Sequence, residues 1–309
     1  YRADIIDRNG NYLVKTVSSI DIGINPVEII DEKKLLINLK LIFPNKDYTV
    51  IQKKIKKKKF FYFEKKITAE NYEKIMLLGD KSIRSEERLT RIYPQRNLFS
   101  HIIGQIDDDN NGISGIEKSF DERLKRINDA LRLTVDTDIQ FLIREELIKF
   151  NSIFNSRGIA AILMNVNNGE IISMVSYPDF DLNKRQKIDD KDYINRATKG
   201  VYELGSVFKT FTIAAALEEK LIEPQTKFLN LKKNLKCGKN VISEYDDEIP
   251  SDLTAEEILI RSGNIGSVRI GQKLEINKLR NFLNKIGVLN KIDFDIEEVG
   301  QPIPFRWGK

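Results

Sequence analysis

The sequence of 309 residues has few of the side chains that build disulfides and metal centres. It contains one cysteine, Cys237, and one histidine, His101. A single thiol cannot form an internal disulfide, and one Cys with one His is too few for the usual zinc sites. The composition therefore leaves no plausible zinc site. His101 lies among apolar residues in the N-terminal part of the chain, which favours a structural role over that of a general base.

Long apolar runs are also missing. No stretch of about 18 apolar residues could form a transmembrane helix, and no segment has the pattern of a signal peptide. The chain starts at Tyr1 without a methionine and stops at Lys309. We expect both ends to be cut, so that an N-terminal anchor could have been removed.

Charge of one sign is not in large excess. The chain has 51 basic and 46 acidic residues, a formal net charge of +5, which does not point to nucleic acid. The lysine-rich run Lys53–Lys59 has two interpretations, a solvated helix face or contact with an anionic membrane surface. With 41% hydrophobic residues, the chain is long enough and apolar enough for two globular domains.

The pattern along the chain predicts an α+β protein with two domains, 1–130 and 131–309. In the first part, short alternating strands follow the turn Asp7–Gly10, and a helix is expected over Glu32–Phe43. A second helix is expected after the N-cap Asp136, with an apolar stripe formed by Ile139, Leu142, Ile143, Leu147 and Phe150. A hairpin follows, whose apolar first strand Gly158–Val166 is expected to be covered on both faces. A polar loop, Asp181–Asn195, comes next.

Ser206 and Lys209 stand at the start of the most apolar predicted helix, Val207–Leu221. Gly205 permits a tight entry turn, and Ser206 lies at the helix N-terminus, where the helix dipole stabilises negative charge. Lys209 is on the same side one turn later. An apolar environment favours a neutral lysine, which can take the proton of Ser206 and activate it as a nucleophile, while the Ser206 backbone N–H can help to form an oxyanion hole.

A serine followed by a lysine three residues later is a weak signal in a lysine-rich chain. Ser206 is the only serine here that has one, but an exposed N-cap serine with a surface lysine would look the same. Ser262-Gly263-Asn264 is the only Ser-x-Asn triplet, and it follows a helix-like segment that starts with a capping box of Thr254 and Glu257. Ser262 could relay a proton to a leaving amine, and Asn264 could bind a substrate amide and orient Lys209. The alternative is an ordinary loop.

These residues resemble class B penicillin-binding proteins, the monofunctional peptidoglycan D,D-transpeptidases. The resemblance is carried in the C-terminal half by Asn195–Ala197, Tyr202–Lys209 and Ser262–Gly266. It continues through the N-terminal half in Arg2–Gly10, Arg91–Pro94, His101–Gly104, Gly115–Glu117, Leu133–Asp136 and Gln140. The short junction between Glu117 and Asp136 and the segment Val201–Thr212 are similar to the septal, division-specific branch (FtsI type) of alphaproteobacteria.

The resemblance implies a pedestal-like, dimerisation-type N-terminal module and a transpeptidase domain with a central antiparallel sheet flanked by helices. It implies that Ser206 is the nucleophile that attacks the penultimate D-Ala of a peptidoglycan stem pentapeptide on lipid-linked precursor strands, with Lys209, Ser262 and Asn264 as the other catalytic residues. β-Lactams would acylate Ser206, and no metal or cofactor would be needed. The implied partners are the septal glycosyltransferase and other divisome proteins, and the implied location is the periplasmic side of the bacterial inner membrane, anchored by a single N-terminal helix that this chain lacks.

The third motif of the family, Lys-Thr/Ser-Gly, does not follow Asn264. Lys236-Cys237-Gly238 is rejected as this motif because it lies between the other two and has Cys in place of Thr or Ser. Leu204 and Gly263 also depart from common family residues, at positions where the chemistry tolerates them. We therefore expect the transpeptidase domain to be incomplete, and residues 1–309 alone to be inactive and either poorly folded there or in need of a missing segment.

Two other functions share some of these features. A β-lactamase or β-lactam sensor uses the same serine and lysine chemistry but does not explain the N-terminal module. A division scaffold that has lost catalysis would keep the module and its partners. Fast deacylation would favour the first, and a complete gene without the third motif would favour the second.

Overall fold

The computed structural model describes residues 1–184 and 190–304 and divides the chain into two compact units, residues 1–197 and 198–309. Both units combine helices with antiparallel strand pairs, which confirms the predicted α+β class. Part of the predicted loop Asp181–Asn195, and the chain end at Lys309, lie outside the described residues. The domain boundary that we placed between residues 130 and 131 stays a prediction.

The first unit contains seven strands, eight α-helices and a 3₁₀ turn at Pro26–Glu28 within its described residues. The strands are β1 Ile5–Ile6, β2 Tyr12–Ile24, β3 Phe61–Ile67, β4 Ile83–Ile92, β5 Leu131–Arg132, β6 Ile159–Met164 and β7 Ile171–Tyr177. The helices are α1 Glu32–Ile42, α2 Tyr48–Lys56, α3 Ala69–Met76, α4 Ser100–Ile103, α5 Gly115–Ser119, α6 Asp121–Arg126, α7 Thr137–Phe154 and α8 Asp190–Tyr193.

The long strand β2 organises the N-terminal sheet. It pairs antiparallel with β1, β3 and β4, and β1 continues the sheet through a parallel pair with β5. The β2–β4 pairing runs without a break from Lys15 opposite Ile92 to Ile24 opposite Ile83. Helices α1, α2 and α3 bury one apolar core against the far end of this sheet, formed by Ile22, Ile24, Leu35, Leu39, Ile51, Ile55, Phe63, Ile75 and Ile83.

The lysine-rich run begins on α2 and continues past its end at Lys56. Its lysines are exposed, whereas Ile51 and Ile55 on the same helix are buried in the core. Cations at a helix C-terminus interact favourably with the helix dipole. This placement fits the interpretation of the run as a solvated helix face.

The turn between β1 and β2 is built around the buried carboxylate of Asp7. One carboxylate oxygen accepts the backbone N–H groups of Asn9 and Asn11, each at 2.8 Å. The other accepts the Thr137 hydroxyl at 2.6 Å and the Asn11 amide at 3.0 Å. Asp7 therefore stabilises the predicted Asp7–Gly10 turn and ties it to the start of α7.

A buried ion network joins the first residues of the chain to β4 and α5. The carboxylate of Glu117, fully buried, accepts the Arg2 Nε at 2.5 Å and the Arg91 Nε at 3.0 Å. Arg91 also donates to the backbone oxygen of Ala3 at 2.7 Å, and Arg2 pairs with Asp121 at 2.6 Å. Burial strengthens these interactions and makes the loss of one partner costly.

Helix α7 starts after its N-cap Asp136, as predicted, but the predicted apolar stripe is wrong for two of its five residues, since only Ile139, Ile143 and Leu147 are half-buried. Leu142 and Phe150 are 63% and 47% exposed, and the buried residue of the helix is Gln140. The Gln140 side chain accepts the Ser173 hydroxyl and the Met174 N–H and donates to the Met174 carbonyl. The helix thus contacts β7 through an amide that matches backbone polar groups, which apolar periodicity does not reveal.

The predicted hairpin is present as β6 and β7, which pair antiparallel around a turn at residues 165–170. The expectation that its first strand is covered on both faces is wrong for the described residues. Ile162 and Met164 are about half exposed, while β7 buries Met174 and Val175. Among the described residues, β6 pairs with β7 alone, so it has one free edge.

The second unit carries the two sequence motifs. Its helices are a 3₁₀ turn at Gly205–Phe208, α9 Lys209–Glu218, α10 Ala255–Ile260, α11 Asn264–Lys273 and α12 Ile276–Lys285. Its strand pairs are β8 Lys227–Phe228 with β11 Leu253–Thr254 and β9 Asn234–Cys237 with β10 Asn240–Ser243. Helices α9, α10 and α11 surround one apolar core that includes Ile213, Ala216, Ile258, Ile265 and Ile270.

No helix of the described residues is long and apolar enough to cross a membrane.

We expect Glu117→Gln to destabilise the N-terminal sheet by about 3–5 kcal/mol, because Arg2 and Arg91 would lose their buried counter-charge. Glu122→Gln is the control: Glu122 pairs with Arg126 on the surface, where such a pair contributes less than about 0.5 kcal/mol. Native-state hydrogen exchange of the β2 and β4 amides measures both effects. Equal protection of these amides in the two variants would contradict the prediction that the buried Glu117 ion network stabilises the N-terminal sheet.

Asp7→Asn should reduce stability at neutral pH but not in acid. Burial by itself raises the pKa of Asp7, but the hydrogen bonds from Thr137 and Asn11 outweigh it and lower the pKa from 3.8 to about 2. The contribution of the ionised Asp7 carboxylate to the free energy of unfolding is therefore fully present above pH 3.8 and is lost as the pH falls towards 2. Urea unfolding should show a difference on the order of 2 kcal/mol at pH 7 that largely disappears near pH 2. A difference that stays constant with pH would argue against this role of the carboxylate.

Candidate active site

The first motif forms a tight turn and the beginning of a helix. The predicted helix Val207–Leu221 begins later than expected, at Lys209, because residues 205–208 form a 3₁₀ turn, and it ends earlier, at Glu218. Gly205 has a φ of +54°, which glycine adopts at little cost. The helix is also not buried all round: Val207 is 66% exposed, and Ile213, Ala215 and Ala216 form its buried side. The turn leaves Ser206 exposed, so its hydroxyl is accessible from solvent.

The amine of Lys209 joins the first motif to the second. Its Nζ donates to the Asn264 Oδ1 at 2.6 Å and to the Ser262 Oγ at 3.1 Å, and it also donates to the Ser262 carbonyl. Among the described residues, its hydrogen bonds go to this loop and not to Ser206. The structure thus brings Lys209, Ser262 and Asn264 together, and it places Ser206 in the turn that leads into Lys209.

The second motif lies at the junction of α10 and α11. The predicted capping box is present: Glu257 N–H donates to the Thr254 hydroxyl, and the Glu257 carboxylate accepts the Thr254 N–H. At the other end of α10, Ser262 N–H bonds to the Leu259 carbonyl and Gly263 N–H to the Ile258 carbonyl, the pattern of a Schellman C-cap. The helix therefore ends at a defined turn that points its next residues towards Lys209.

Ser262 occupies the left-handed position of that C-cap, with a φ of +52°. Glycine is the usual residue there, and another residue costs about 1–2 kcal/mol. Such backbone strain persists where neighbouring contacts fix the conformation, and it is frequent at functional sites. In this conformation the Ser262 Oγ lies 3.1 Å from the Lys209 Nζ.

Sequence reasoning missed Glu244, which lies directly after β10. Its two carboxylate oxygens accept the backbone N–H groups of Asn264 at 2.7 Å and Ile265 at 2.8 Å. The Asn264 amide in turn donates to the Ser243 carbonyl at 2.8 Å. Nothing in the local sequence marks this glutamate, because its role depends on two residues that follow it by 20 and 21 positions.

Burial lowers the pKa of Lys209, and the nearby carboxylate of Glu244 partly offsets this by raising it. A lowered pKa makes a neutral amine, the form that can accept a proton, more accessible near neutral pH. The arrangement is therefore an amine held against a hydroxyl and an amide, one turn from an exposed serine.

The other candidates lie elsewhere. His101 is buried in the first unit, where a ring nitrogen lies 2.7 Å from the Asp192 carbonyl, and burial lowers its pKa. This placement agrees with a structural role. Cys237 is an exposed free cysteine on β9. Across residues 1–184 and 190–304, no group of three or more His, Cys, Asp and Glu side chains could hold a metal ion.

Two family models match this chain. The penicillin-binding protein dimerisation domain matches residues 1–147, and the penicillin binding protein transpeptidase domain matches residues 159–308. The chain belongs to the penicillin-binding proteins. The two models confirm the predicted order, a dimerisation-type module followed by a transpeptidase domain, and the class B resemblance.

Curated relatives match along nearly the whole chain. The probable peptidoglycan D,D-transpeptidase FtsI of Caulobacter vibrioides is 27% identical over 99% of this chain and 52% of its own length. Stage V sporulation protein D of Bacillus subtilis is 28% identical over 98% of this chain and 52% of its own length. Peptidoglycan D,D-transpeptidase FtsI of Buchnera aphidicola is 29% identical over 92% of this chain and 55% of its own length. This penicillin-binding protein chain thus spans about half the length of the curated relatives it matches.

A solved structure has the same fold. The complex between penicillin-binding protein PBP2 and MreC from Helicobacter pylori matches with a TM-score of 0.74, covering 97% of this chain and 66% of that one. The sequence identity is 21%, so the likeness shows the fold alone.

We expect the Lys209 amine to lose its proton at lower pH than a free lysine side chain, because burial disfavours the ammonium form and Glu244 offsets this only in part. The amines can be reductively methylated with ¹³C-formaldehyde and titrated by NMR. Lys209→Arg identifies the signal by removing it. A pKa at or above the ordinary 10.5 would contradict the assigned environment.

Proposed function

We propose that this penicillin-binding protein is a serine D,D-transpeptidase that cross-links peptidoglycan stem peptides. The observation that carries the proposal is the Lys209 amine, whose pKa burial lowers and which is hydrogen-bonded to the Ser262 hydroxyl and the Asn264 amide. These are the groups that acyl transfer by an exposed serine requires: a base, a proton relay and a polar contact for the substrate.

In the proposed first step, the Ser206 hydroxyl oxygen attacks the penultimate D-Ala carbonyl of a stem pentapeptide. Its proton passes to the neutral Lys209 amine, and the C–N bond to the terminal D-Ala then breaks. The leaving amine takes a proton from the Ser262 hydroxyl, which Lys209 replenishes through their 3.1 Å hydrogen bond. Ser206 is left as an ester of the stem peptide.

In the second step, the amine of a neighbouring stem attacks this ester, gives up a proton to Lys209 and forms the cross-link, and Ser206 regains its proton. A β-lactam follows the first step alone: its ring C–N bond opens and the former ring nitrogen takes the proton. No free leaving group departs, so the ester persists. Asn264 can donate its second side-chain N–H to a substrate amide carbonyl, since Lys209 uses the amide oxygen and the Ser243 carbonyl accepts the first N–H.

We further propose a role in septal wall synthesis, with a septal glycosyltransferase and other division proteins as partners and an inner-membrane, periplasmic location. The FtsI names of two relatives support this assignment. Another relative, stage V sporulation protein D, is named for sporulation instead of division, so a test in cells decides the septal assignment. We also keep the domain division 1–130 and 131–309 as part of this proposal.

The test is intact-protein mass of the full-length protein after exposure to benzylpenicillin. Ser206→Ala removes the proposed nucleophile, and Ser152→Ala, which removes an exposed hydroxyl on α7, is the matched control. We expect one stable penicillin adduct on the wild type and on Ser152→Ala, and none on Ser206→Ala.

Each other outcome rejects the proposal in a different way. An adduct that forms and hydrolyses rapidly would indicate a β-lactamase, because a transpeptidase acyl-enzyme with penicillin is long-lived. A folded wild-type protein without any adduct would indicate a non-catalytic scaffold. An adduct that persists in Ser206→Ala would show that another residue is the nucleophile.

A further inference from the structure

Three consecutive residues at the end of β10, Ser243–Tyr245, hold the loop that carries the second motif. We call them the β10 clamp. The Ser243 carbonyl accepts the Asn264 amide, and the Tyr245 hydroxyl donates to the Arg261 carbonyl at 2.9 Å. Between them, Glu244 accepts two backbone N–H groups of the loop. Four hydrogen bonds thus fix a loop of five residues to one short segment.

The clamp is itself anchored to β9. The Glu244 N–H donates to the Lys233 carbonyl at 2.9 Å, and the Ser243 hydroxyl lies 2.6 Å from the Asn234 amide oxygen. The β9–β10 hairpin therefore acts as a fixed support for the carboxylate.

Glu244 supplies what the N-terminus of α11 lacks. A helix leaves its first backbone N–H groups without partners, and a Ser, Thr, Asp or Asn side chain at the N-cap usually accepts one of them. Here the N-cap residue is Gly263, which has no side chain and makes no such bond. The Glu244 carboxylate accepts the N–H groups of Asn264 and Ile265 instead, and its charge also suits the helix dipole.

This capping acts on both motif residues at once. Asn264 is the first residue of α11, so fixing its backbone fixes the amide oxygen that Lys209 contacts. Ser262, two residues earlier, is held in its left-handed conformation between the C-cap of α10 and this N-cap. A strained residue between two fixed points has little freedom to relax.

We propose that Glu244 is a positioning residue of the acyl-transfer site, holding Asn264 and Ser262 in register with Lys209 and placing a negative charge near the lysine amine. This inference rests on the proposed function. Glu244 does not touch the reacting atoms, and it acts through the loop and through the charge state of Lys209.

The charge gives the proposal a signature that a merely structural residue lacks. The groups that face Lys209 from the α10–α11 loop and α11, Ser262 and Asn264, are neutral, and the carboxylate that faces it from the clamp is Glu244. The ion pairs between α9 and α12 lie at the other end of α9, and they join Glu218 to Lys285 and Glu219 to Lys278. Removing the Glu244 charge should therefore lower the pKa of Lys209, so that the neutral amine forms at lower pH.

The experiment measures acylation of the full-length protein by benzylpenicillin against pH, separating non-covalent binding from the acylation rate. Three variants are compared with the wild type. Glu244→Gln keeps the shape of the side chain but loses the charge and one acceptor, and Glu244→Asp keeps the charge on a shorter side chain. Glu248→Gln is the control, because it removes an exposed carboxylate from the segment that follows β10. Amide exchange at Asn264 and Ile265 follows the capping bonds directly, without reference to activity.

For Glu244→Gln we expect the acylation rate at its plateau to fall by about ten- to a hundredfold, the range for losing charge-assisted hydrogen bonds that align a reacting group. The rising limb of its profile of acylation rate against pH should move to lower pH, and amide hydrogen exchange at Asn264 and Ile265 should become faster. Glu244→Asp should keep the limb close to the wild-type pH, and Glu248→Gln should match the wild type throughout.

Two results would overturn the proposal while leaving the proposed function intact. One is a Glu244→Gln profile with the wild-type plateau and limb. The other is a plateau that falls only in proportion to the folded fraction, with the limb unmoved. If the Glu244→Gln variant does not fold, its pH profile cannot be measured. In that case a rising limb shifted to lower pH in Glu244→Asp, which keeps the charge, would reject the role of the charge. A folded wild-type protein that is not acylated at all would instead reject the proposed function, and this inference with it.

Discussion

The hydrogen bonds of a single amine organise the candidate site. Lys209 starts α9, and its Nζ reaches Ser262 and Asn264 on either side of the junction between α10 and α11. A lysine amine partly withdrawn from water is stabilised by such partners, because burying its charge without them would be costly. The same withdrawal lowers its pKa and suits it to accept a proton. One contact therefore links the packing of three helices to the chemistry of the serine beside them.

The loop opposite Lys209 shows how a fold can hold a strained arrangement. Ser262 stands where glycine is usual, and Gly263 stands where a capping side chain is usual. Each substitution by itself weakens a helix end. Together they leave a hydroxyl directed at the lysine and two backbone N–H groups for Glu244, a residue from a separate hairpin. Local weakness is thus compensated by a tertiary contact, as is common where function constrains the backbone.

In the N-terminal sheet, too, tertiary contacts fix segments that are distant in sequence, and here the contacts are made by buried carboxylates. Glu117 is buried between Arg2 and Arg91, so residues far apart in sequence are fixed by one carboxylate. Asp7 does the same for the first turn and the start of α7. These polar centres complement the apolar core under α1, α2 and α3, because they accept only one arrangement of their partners.

The sequence alone determined the elements whose signals are local: the Asp7–Gly10 turn, the helix from Glu32, the Asp136 N-cap, the β6–β7 hairpin and the capping box of Thr254 and Glu257. It also determined the two motifs and the family, since Ser206, Lys209, Ser262 and Asn264 are recognisable by type and spacing. Only the tertiary structure decided that α7 buries Gln140 more deeply than the residues of its apolar stripe, that Lys209 bonds to Ser262 and Asn264, and that Glu244 caps α11. The physical reason is that hydrogen bonds between distant segments depend on distance and direction in space, which neither periodicity nor propensity along the chain records.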